Sequence, residues 1–428
     1  MKLYEEESVF GSVYSPGAGH QPPVLAGRDD LIRDWELVVN DVLAGGRVHA
    51  RDLLLLGPRG IGKTVALTRL GQVAEAAGYA VIDLQAVRGQ VTLIDSLLDH
   101  AEEQLQSRDS PWQAVRRHVE SLRVNLMAFG VGGGVEVARR PAADHAAAPG
   151  RIARLLADLA AAMGEKRGGR GGVLVSIDEL QVATPDDLVL LAAALQRLNV
   201  NHPDAHVLFA ASGLPYTREA LNTAGVTHPE RLFTAVLLPV VLEPNDARRA
   251  IVEPALARGV VWQPQAVDQV LELTNGYPAH LQLFADATWR LAEGPQITVD
   301  DVRGASARVV SSLTDGTFDP RWSSLPDRQR EYLAALAVHG GVASAAAMSR
   351  TLGRRASDLS RTRDQAIKSG DVYSPRRGEV RLSVPLFGHY ILSQYETDRL
   401  VADDPASLVS LDEMRRGASP PQISKGTT

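Results

Sequence analysis

Short apolar runs alternate with longer amphipathic stretches over the first half of the chain. The runs are typical of buried strands, and the stretches between them repeat apolar residues at helical spacing. The runs predict strands at 52–56, 79–84, 173–177, 206–213 and 236–242. The stretches predict helices ending near residue 43 and over 65–77, 91–106, 112–122, 151–163, 186–198 and 217–223. This alternation predicts an α/β fold with a parallel sheet that helices cover on both faces.

After Pro244 the apolar spacing becomes almost entirely helical. Helices are predicted over 246–257, 264–273, 278–293 and 300–313. The joint Thr274–Pro278 is a predicted turn in which Gly276 supplies the positive φ angle. Asp315–Pro320 is predicted to be a linker.

The region between this linker and residue 398 predicts a winged helix-turn-helix. Helices are expected over 326–338, 343–352 and 355–369, followed by a β-hairpin of 371–374 and 379–383. On the third helix, one face is predicted to be apolar and the opposite face basic. The apolar face would consist of Leu352, Ala356, Leu359, Ala366 and Ile367. Arg363 falls on the apolar side, and we expect it to bond a carbonyl or carboxylate within the module.

These patterns divide the chain into successive segments. They are a flexible or loosely docked leader over 1–23, a phosphate-loop core over 24–243, a helical lid over 244–318, the winged helix-turn-helix over 319–398 and a largely disordered tail over 399–428. The glycine-rich stretch 129–135 opens no helix, so a hairpin or flexible insertion is expected there rather than a dinucleotide site. A further linker is expected over 142–149.

Composition narrows the class of protein. Hydrophobic residues make up 45% of the chain and charged residues 22%, which is typical of globular proteins. The absence of cysteine excludes a disulfide framework and thiolate chemistry and favours the cytoplasm. No uncharged run reaches the roughly 18 residues of a membrane span, so no membrane partner is expected.

The octapeptide Gly57–Thr64 carries the strongest chemical signal. Its G-x-x-x-x-G-K-T pattern follows a predicted strand and precedes a helix, which is the context of a phosphate-binding loop. Lys63 is expected to reach the β- and γ-phosphates of ATP, and the Thr64 hydroxyl to bind Mg²⁺. The predicted nucleotide-binding residues of this loop are Gly57, Pro58, Arg59, Gly60, Ile61, Gly62, Lys63, Thr64 and Val65.

Two further strands end in polar residues. The strand 173–177 ends in Asp178 and Glu179. In a phosphate-loop enzyme such an aspartate holds the Mg²⁺ shell, and the next glutamate orients or deprotonates the attacking water. Ser212 closes the following strand, where it could sense the γ-phosphate through a water.

Charge is unevenly distributed. Residues 350–381 hold nine basic and four acidic side chains, a local charge of +5 in a chain of −6. Phosphate-backbone contacts to duplex DNA are therefore predicted. The predicted contacts are Arg354, Arg355, Arg361, Lys368, Arg376 and Arg377. The alternative is a solvated face on a module that packs only within the molecule.

Together these motifs resemble bacterial AAA+ ATPases of the replication-initiator-like type, close to the STAND and archaeal-type ATPase groups. The resemblance covers about residues 24–395. It rests on Gly27-Arg28, Gly57–Thr64, Asp178–Gln181, Ser212–Pro215, Asn275–Pro278 and Val384–Phe387. The resemblance implies ATP and Mg²⁺ as cofactors and a nucleotide-facing Arg28. It also implies a second copy or a partner protein as an assembly partner, and an arginine finger at Arg231 that acts on a neighbour's nucleotide.

One position departs from that family. Initiators carry an arginine in the lid helix after the glycine turn, where this chain has Pro278-Ala-His280. This difference favours a STAND-like switch that turns over slowly or holds its nucleotide.

Three functions are compatible with these motifs. The first is an ATP-driven DNA-binding switch, and the second is a signalling or scaffold ATPase whose winged helix only latches the lid. The third is a phosphotransferase, although the Asp178-Glu179 pair and Ser212 suit attack by water better. No G-x-S-x-G or H-E-x-x-H motif occurs, which argues against serine hydrolases and zinc proteases.

Overall fold

The computed structural model describes residues 11–47, 51–87, 92–104, 119, 148–376 and 378–394. Several predicted features lie wholly or mostly outside the described residues. They are the first ten leader residues, the helix over 112–122, the stretch 129–135, the linker 142–149, Arg377 and the tail 399–428. No helix among the described residues has both the length and the apolar character needed to cross a membrane.

The chain forms two compact units. The sheet unit comprises Arg28–Gly57 and Lys63–Leu238. The helical unit comprises Met1–Gly27, Pro58–Gly62 and Pro239–Thr428.

The sheet unit has the predicted α/β architecture. Its strands are β1 Asp52–Leu56, β2 Tyr79–Gln85, β3 Gly172–Asp178, β4 Val207–Gly213 and β5 Thr234–Leu237. Its described helices are α1 Asp29–Leu43, α2 Lys63–Ala76, α3 Leu93–Gln104, α4 Ala148–Lys166, α5 Pro185–Asn201, α6 Thr217–Ala224 and α7 Pro229–Leu232. The strands lie in the order β2-β3-β4-β1-β5, and every pair is parallel.

Strand order brings the chemistry to one edge of this sheet. β4 lies between β3 and β1, with Ile177 opposite Ala211 and Leu55 opposite Ser212. Because parallel strands end at the same edge, the residues that follow β1, β3 and β4 meet there. The last strand ends at Leu237, earlier than predicted, because Leu238 makes the final bond to Leu56 and Pro239 has no N–H to donate.

The lid part of the helical unit is a set of helices that begin with proline or a side-chain cap. Its elements are α8 Pro244–Leu256, β6 Val261–Trp262, α9 Pro264–Thr274, α10 Pro278–Leu291, β7 Gln296–Ile297 and α11 Val299–Leu313. Proline suits the first helical position because the N–H it lacks would have no partner there. Thr298 and Asp301 form a reciprocal capping box before α11.

The predicted linker at 315–320 is wrong. A π-helical segment, Thr314–Phe318, continues α11 directly into α12, Asp319–Ser323. Phe318 is 2% exposed, and its ring centroid lies 5.4 Å from that of Phe387 and 5.5 Å from that of Tyr390. Gly316 and Pro320 suggest a turn in the sequence, but burial of Phe318 holds the segment in a helical path, and Pro320 is tolerated in the first turn of α12.

The C-terminal region has the three predicted helices and the predicted hairpin. Its elements are α13 Asp327–Val338, β8 Val342–Ser344, α14 Ala345–Leu352, α15 Ala356–Lys368, β9 Val372–Tyr373, β10 Glu379–Leu382 and α16 Pro385–Gln394. β8 pairs with β10, giving an antiparallel sheet in the order β8-β10-β9. On α15, Leu359, Thr362 and Ala366 are buried, whereas Ala356, expected on the apolar face, is exposed.

The leader contains an aromatic anchor. Tyr14 is 4% exposed and lies edge-on to Trp262 and Trp289, with ring centroids 6.3 and 6.0 Å away. Its hydroxyl donates to the Ile251 carbonyl at 2.6 Å and accepts from Trp262 Nε1 at 2.8 Å. Residues 11–23 are therefore held on the helical unit at this point, more firmly than a loosely docked leader.

Candidate nucleotide-binding site

The phosphate-loop sequence takes the tight path that its glycines permit. Gly60 and Gly62 have φ angles of 74° and 85°, in the left-handed region that favours glycine. Gly57 donates its N–H to the Gly213 carbonyl at 3.2 Å, which ties the start of the loop to the end of β4. Lys63 opens α2 and is 6% exposed. The strand, loop and helix order predicted from the sequence is confirmed.

Asp178 joins the ends of three predicted elements. The Thr64 hydroxyl donates to Asp178 Oδ2 at 2.7 Å, and the Ser212 hydroxyl donates to Asp178 Oδ1. Ser212 is fully buried, so its hydroxyl is fixed by this bond. The structure thus brings together Thr64, Asp178 and Ser212, which the sequence singled out separately.

The residues present fit a Mg²⁺ ion. This ion prefers oxygen ligands and usually takes only one or two from the protein, with phosphate and water oxygens completing its shell. The Thr64 hydroxyl and the Asp178 carboxylate are such a pair. No cluster of three His, Asp or Glu side chains capable of holding a metal occurs among the described residues, so phosphates and water would have to supply the other ligands.

Glu179 has an unusual backbone at the end of β3. Its φ and ψ angles are 55° and 41°, in the left-handed region that costs a non-glycine residue free energy. Its N–H donates to Asp178 Oδ1 at 3.0 Å, and its Oε2 accepts from Gln181 Nε2 at 2.5 Å. Gln181 belongs to the Asp178–Gln181 stretch that carries the family resemblance, but the sequence predicted no role for it, because a glutamine two residues after the acidic pair matches no chemical motif.

The tip of the loop makes its own contacts within the helical unit. The Tyr277 hydroxyl donates to the Arg59 carbonyl, and the N–H of Ala279 donates to the Gly60 carbonyl at 3.1 Å. A Cβ at Gly60 would lie 2.2 Å from the Tyr277 hydroxyl. The turn at Asn275 and Gly276, with φ angles of 49° and 69°, leads the chain to this position. These contacts were not predicted, since 218 residues separate Tyr277 from Arg59.

His280 belongs to the segment Pro278-Ala-His280, where the resemblance to the initiators leads us to expect an arginine. It is 4% exposed, its ring lies 4.6 Å from that of Tyr277, and its Nδ1 has no hydrogen-bond partner among the described residues. Burial lowers the pKa of His280 to about 3. The side chain is neutral at physiological pH and supplies no positive charge to a phosphate.

The two remaining predicted arginines, Arg28 and Arg231, belong to the sheet unit. Arg28 is buried and immediately precedes α1. Arg231, on α7, is exposed and lines a cleft of about 260 Å³ together with Val189, Val226 and His228. No hydrogen bond or ion pair between described residues joins Arg231 to Asp178 or Glu179. The roles predicted for Arg28 and Arg231 stay predictions.

The basic residues of the C-terminal region fall into two groups. Arg354 pairs with Glu331 at 2.9 Å, and Arg376 pairs with Glu379 at 2.6 Å. Arg355, Arg361 and Lys368 are exposed, and none forms an ion pair within the described part of the chain. Arg363 pairs with the adjacent Asp364 at 3.1 Å, as expected of a cation that bonds within the module.

Comparison with protein families agrees with this geometry. Residues 24–209 match the AAA ATPase domain. The match contains the phosphate loop, Asp178 and Glu179. A second model, described as a domain of unknown function (DUF8462), matches residues 315–391. No curated protein matches the chain.

Three solved structures illustrate what the chain is similar to. The Walker-type ATPase paby2304 of Pyrococcus abyssi is 15% identical, with a TM-score of 0.54 over 87% of this chain and 97% of that chain. The Aeropyrum pernix ORC2 protein, solved as ADPNP-ADP complexes, is 14% identical, with a TM-score of 0.50 over 90% of this chain and 99% of that chain. Thermotoga maritima RuvB R170A is 16% identical, with a TM-score of 0.41 over 87% of this chain and 96% of that chain. The likeness to the first two structures shows that this chain has a P-loop NTPase-like fold, with a parallel sheet and flanking helices.

Proposed function

We propose that the protein is an ATP-binding and ATP-hydrolysing molecular switch. The observation that carries this proposal is the hydrogen-bonded group Thr64–Asp178–Ser212, with Glu179 next to it at the carboxyl edge of the sheet. The loop, a hydroxyl and a carboxylate suited to Mg²⁺, and an adjacent second carboxylate are the groups that hydrolysis of a nucleoside triphosphate requires.

Each group has a defined task in this proposal. Lys63 and the backbone N–H groups of the loop bind the β- and γ-phosphates. Thr64 and Asp178 hold Mg²⁺, which when bound neutralises charge on the β- and γ-oxygens. Glu179 is proposed to orient the attacking water or accept its proton, and Ser212 to sense the γ-phosphate through a water.

Two replacements test the hydrolytic part. Lys63→Ala removes the cation of the loop and should abolish ATP binding in a calorimetric titration. Glu179→Gln keeps the shape of the side chain but removes the base, so ATP binding should persist while hydrolysis falls by about 10²- to 10⁴-fold. Lys166→Ala, at the end of α4, is the matched lysine control. Unchanged ATP affinity in Lys63→Ala would refute the site assignment.

We further propose that the C-terminal region is a winged helix that binds duplex DNA. The supporting observation is a set of three exposed basic residues: Arg355 immediately precedes α15, and Arg361 and Lys368 lie along the face of α15 opposite the buried Leu359 and Ala366. Arginine and lysine on one helix face suit phosphate contacts, which give affinity without base specificity. Arg354, Arg376 and Arg377 are proposed to add to this surface.

Nucleotide-dependent DNA binding has structural support within the helical unit. Tyr277 and Ala279 contact the loop tip at the start of α10, and α11 continues through the π-helical segment into α12. Arg321 on α12 donates to Asp371 Oδ1 at 2.5 Å, just after α15. A series of helices and contacts thus joins the loop tip to the proposed DNA-binding helix. We propose that nucleotide binding changes DNA affinity through this series of contacts.

Fluorescence anisotropy across salt concentrations, with ADP and with a non-hydrolysable ATP analogue, tests the DNA proposal. Four to six phosphate contacts would give a log–log salt slope of roughly −4 to −5. Replacing Arg355, Arg361 and Lys368 with Ala should flatten that slope by up to about three units and leave ATP hydrolysis without DNA unchanged. Arg33, Arg248 and Arg303, each in an exposed ion pair, are the matched triple control.

The second candidate is a signalling or scaffold ATPase of the STAND type, whose winged helix is an intramolecular latch. It is favoured by the neutral His280 and by the pairing of Arg354 with Glu331 and of Arg376 with Glu379. It predicts only micromolar or weaker DNA binding at low salt in both nucleotide states, and no effect of the triple replacement.

A further inference from the structure

The side chain of Gln181 links two strand ends in the sheet unit. Its Nε2 donates to Glu179 Oε2 at 2.5 Å, and its Oε1 accepts from the N–H of Leu214 at 3.0 Å. Glu179 follows β3, and Leu214 follows β4 immediately after Ser212 and Gly213. One amide therefore connects the proposed catalytic carboxylate with the strand that carries Ser212.

The chemistry of its neighbours fixes the orientation of this amide. The Leu214 N–H can only donate, so it requires the amide oxygen, and the amide nitrogen is left to face the acceptor Glu179. The Thr217 hydroxyl lies 2.6 Å from the Leu214 carbonyl and 3.2 Å from Gln181 Oε1. The hydroxyl has one proton and donates it to the nearer acceptor, the Leu214 carbonyl. The backbone N–H of Leu214 is therefore the donor that binds Gln181 Oε1.

Close packing keeps Gln181 in place. A Cβ at Gly213 would lie 2.2 Å from Thr217 Oγ1 and 2.9 Å from Gln181 Oε1. A side chain at position 213 would therefore clash with Thr217 and Gln181. Because Gly213 has none, the amide of Gln181 can approach the end of β4. Gln181 also belongs to the 3₁₀ turn Leu180–Val182, which starts directly after the strained Glu179.

We propose that Gln181 is a positioning residue that sets the carboxylate of Glu179 for hydrolysis and links it to the end of β4. The amide binds Oε2 and leaves Oε1 to accept from water, so the orientation of the carboxylate depends on Gln181. The path Ser212–Gly213–Leu214–Gln181–Glu179 lets a displacement of Ser212 move the carboxylate. This inference deepens the proposed ATP hydrolysis and rests on it.

Two replacements of Gln181 separate this role from simple packing. Gln181→Met keeps the length of the side chain but removes both amide contacts. Gln181→Glu keeps an oxygen acceptor for Leu214 and places a second carboxylate against Glu179. Both should lower kcat on the order of 10- to 100-fold, because a small misplacement of a catalytic group has an effect of this size, with little change in ATP affinity. Gln72→Leu on α2 is the matched control.

The decisive measurement is the rate of ATP hydrolysis in the Glu179→Gln background. Release of labelled phosphate reports this rate. If Gln181 acts through Glu179, adding Gln181→Met to Glu179→Gln should lower the residual rate no further. An equal fold-loss in both backgrounds would show a general structural effect and overturn the inference. Wild-type kcat in both single variants would also overturn it.

The outcomes distinguish this inference from the function on which it rests. If the unaltered protein does not hydrolyse ATP, the proposed function and the inference fail together. If it hydrolyses ATP, and Glu179→Gln lowers the rate as expected while both Gln181 variants retain the wild-type kcat, only the inference fails. Thermal unfolding of each variant checks that a lost rate does not come from a lost fold.

Discussion

The Thr64 hydroxyl lies 2.7 Å from Asp178 Oδ2, although 114 residues separate the two positions. This bond joins the first turn of α2 to the end of β3. It makes the metal-binding part of the proposed site a single hydrogen-bonded group.

The first prediction concerns this pair. Thr64→Val removes the hydroxyl with little change in side-chain volume and should lower Mg²⁺-dependent hydrolysis by about 10- to 100-fold, as loss of a metal-orienting contact does. Thr68→Val, one turn later on α2, removes a hydroxyl that donates to the Thr64 carbonyl and is the control. Equal activity of the two variants over a Mg²⁺ titration would contradict the assignment.

Arg231 gives the second prediction. It is exposed on α7 and is not among the described hydrogen-bond partners of Asp178, as a residue serving a neighbouring copy would be. Arg231→Ala should lower ATP hydrolysis only at protein concentrations where the chain self-associates, and should leave ATP affinity unchanged. The measurement is the specific ATPase activity as a function of protein concentration. Light scattering gives the mass of the assembly at each concentration. A defect of the same size in monomeric protein would argue against action on a neighbour.

The third prediction addresses Gly60 and Tyr277. Gly60→Ala should destabilise the protein because the new Cβ would strike the Tyr277 hydroxyl and because φ is positive there. Tyr277→Ala removes the clash with the hydroxyl and leaves the strain of the positive φ angle. Urea unfolding of the two single variants and the double variant should therefore show a coupling free energy of about 0.5–3 kcal/mol. Strictly additive effects would mean that the loop tip and Tyr277 do not meet in solution.

The fourth prediction is a pH dependence of stability. The pKa of His280 is about 3 in the folded chain and 6.5 for an ordinary histidine, so between these values the unfolded chain binds the extra proton. Stability is therefore lost as pH falls below 6.5, by about 2 kcal/mol on reaching pH 5. His280→Phe should remove this part of the slope in urea unfolding at pH 5 and 7. The same replacement at the exposed His20 is the control, and an unchanged slope in His280→Phe would rule out a buried neutral histidine.

The sequence predicted the parts of the site that follow from local pattern. The glycines of the loop, Lys63, Thr64 and the acidic pair 178–179 each sit beside a strand or helix whose apolar spacing is clear. Parallel strands end at one edge, so the meeting of Thr64, Asp178 and Ser212 could be expected from topology as well.

The missed features depend on contacts between distant segments. Tyr277 bonds Arg59 across 218 residues, and Gln181 bonds the N–H of Leu214 across 33 residues. The helical path at 314–318 depends on burial of Phe318 among Phe387 and Tyr390, while its own residues indicate a turn. Tertiary packing overrides local preference at such positions, and one sequence does not reveal which residues will pack together.

Tyr14 has a consequence for where the protein can be cut. The match to the AAA ATPase domain begins at residue 24, and a fragment started there would lack the ring between Trp262 and Trp289. Loss of a buried aromatic ring costs roughly 3–5 kcal/mol, a large share of the stability of an ordinary domain. Without Tyr14, the indole rings of Trp262 and Trp289 would be exposed to water, and tryptophan emission would shift to the red. The exposed apolar surface would also favour association with other copies of the fragment. Aggregation of such a fragment would then result from the missing leader and not from instability of the segment 24–209 itself.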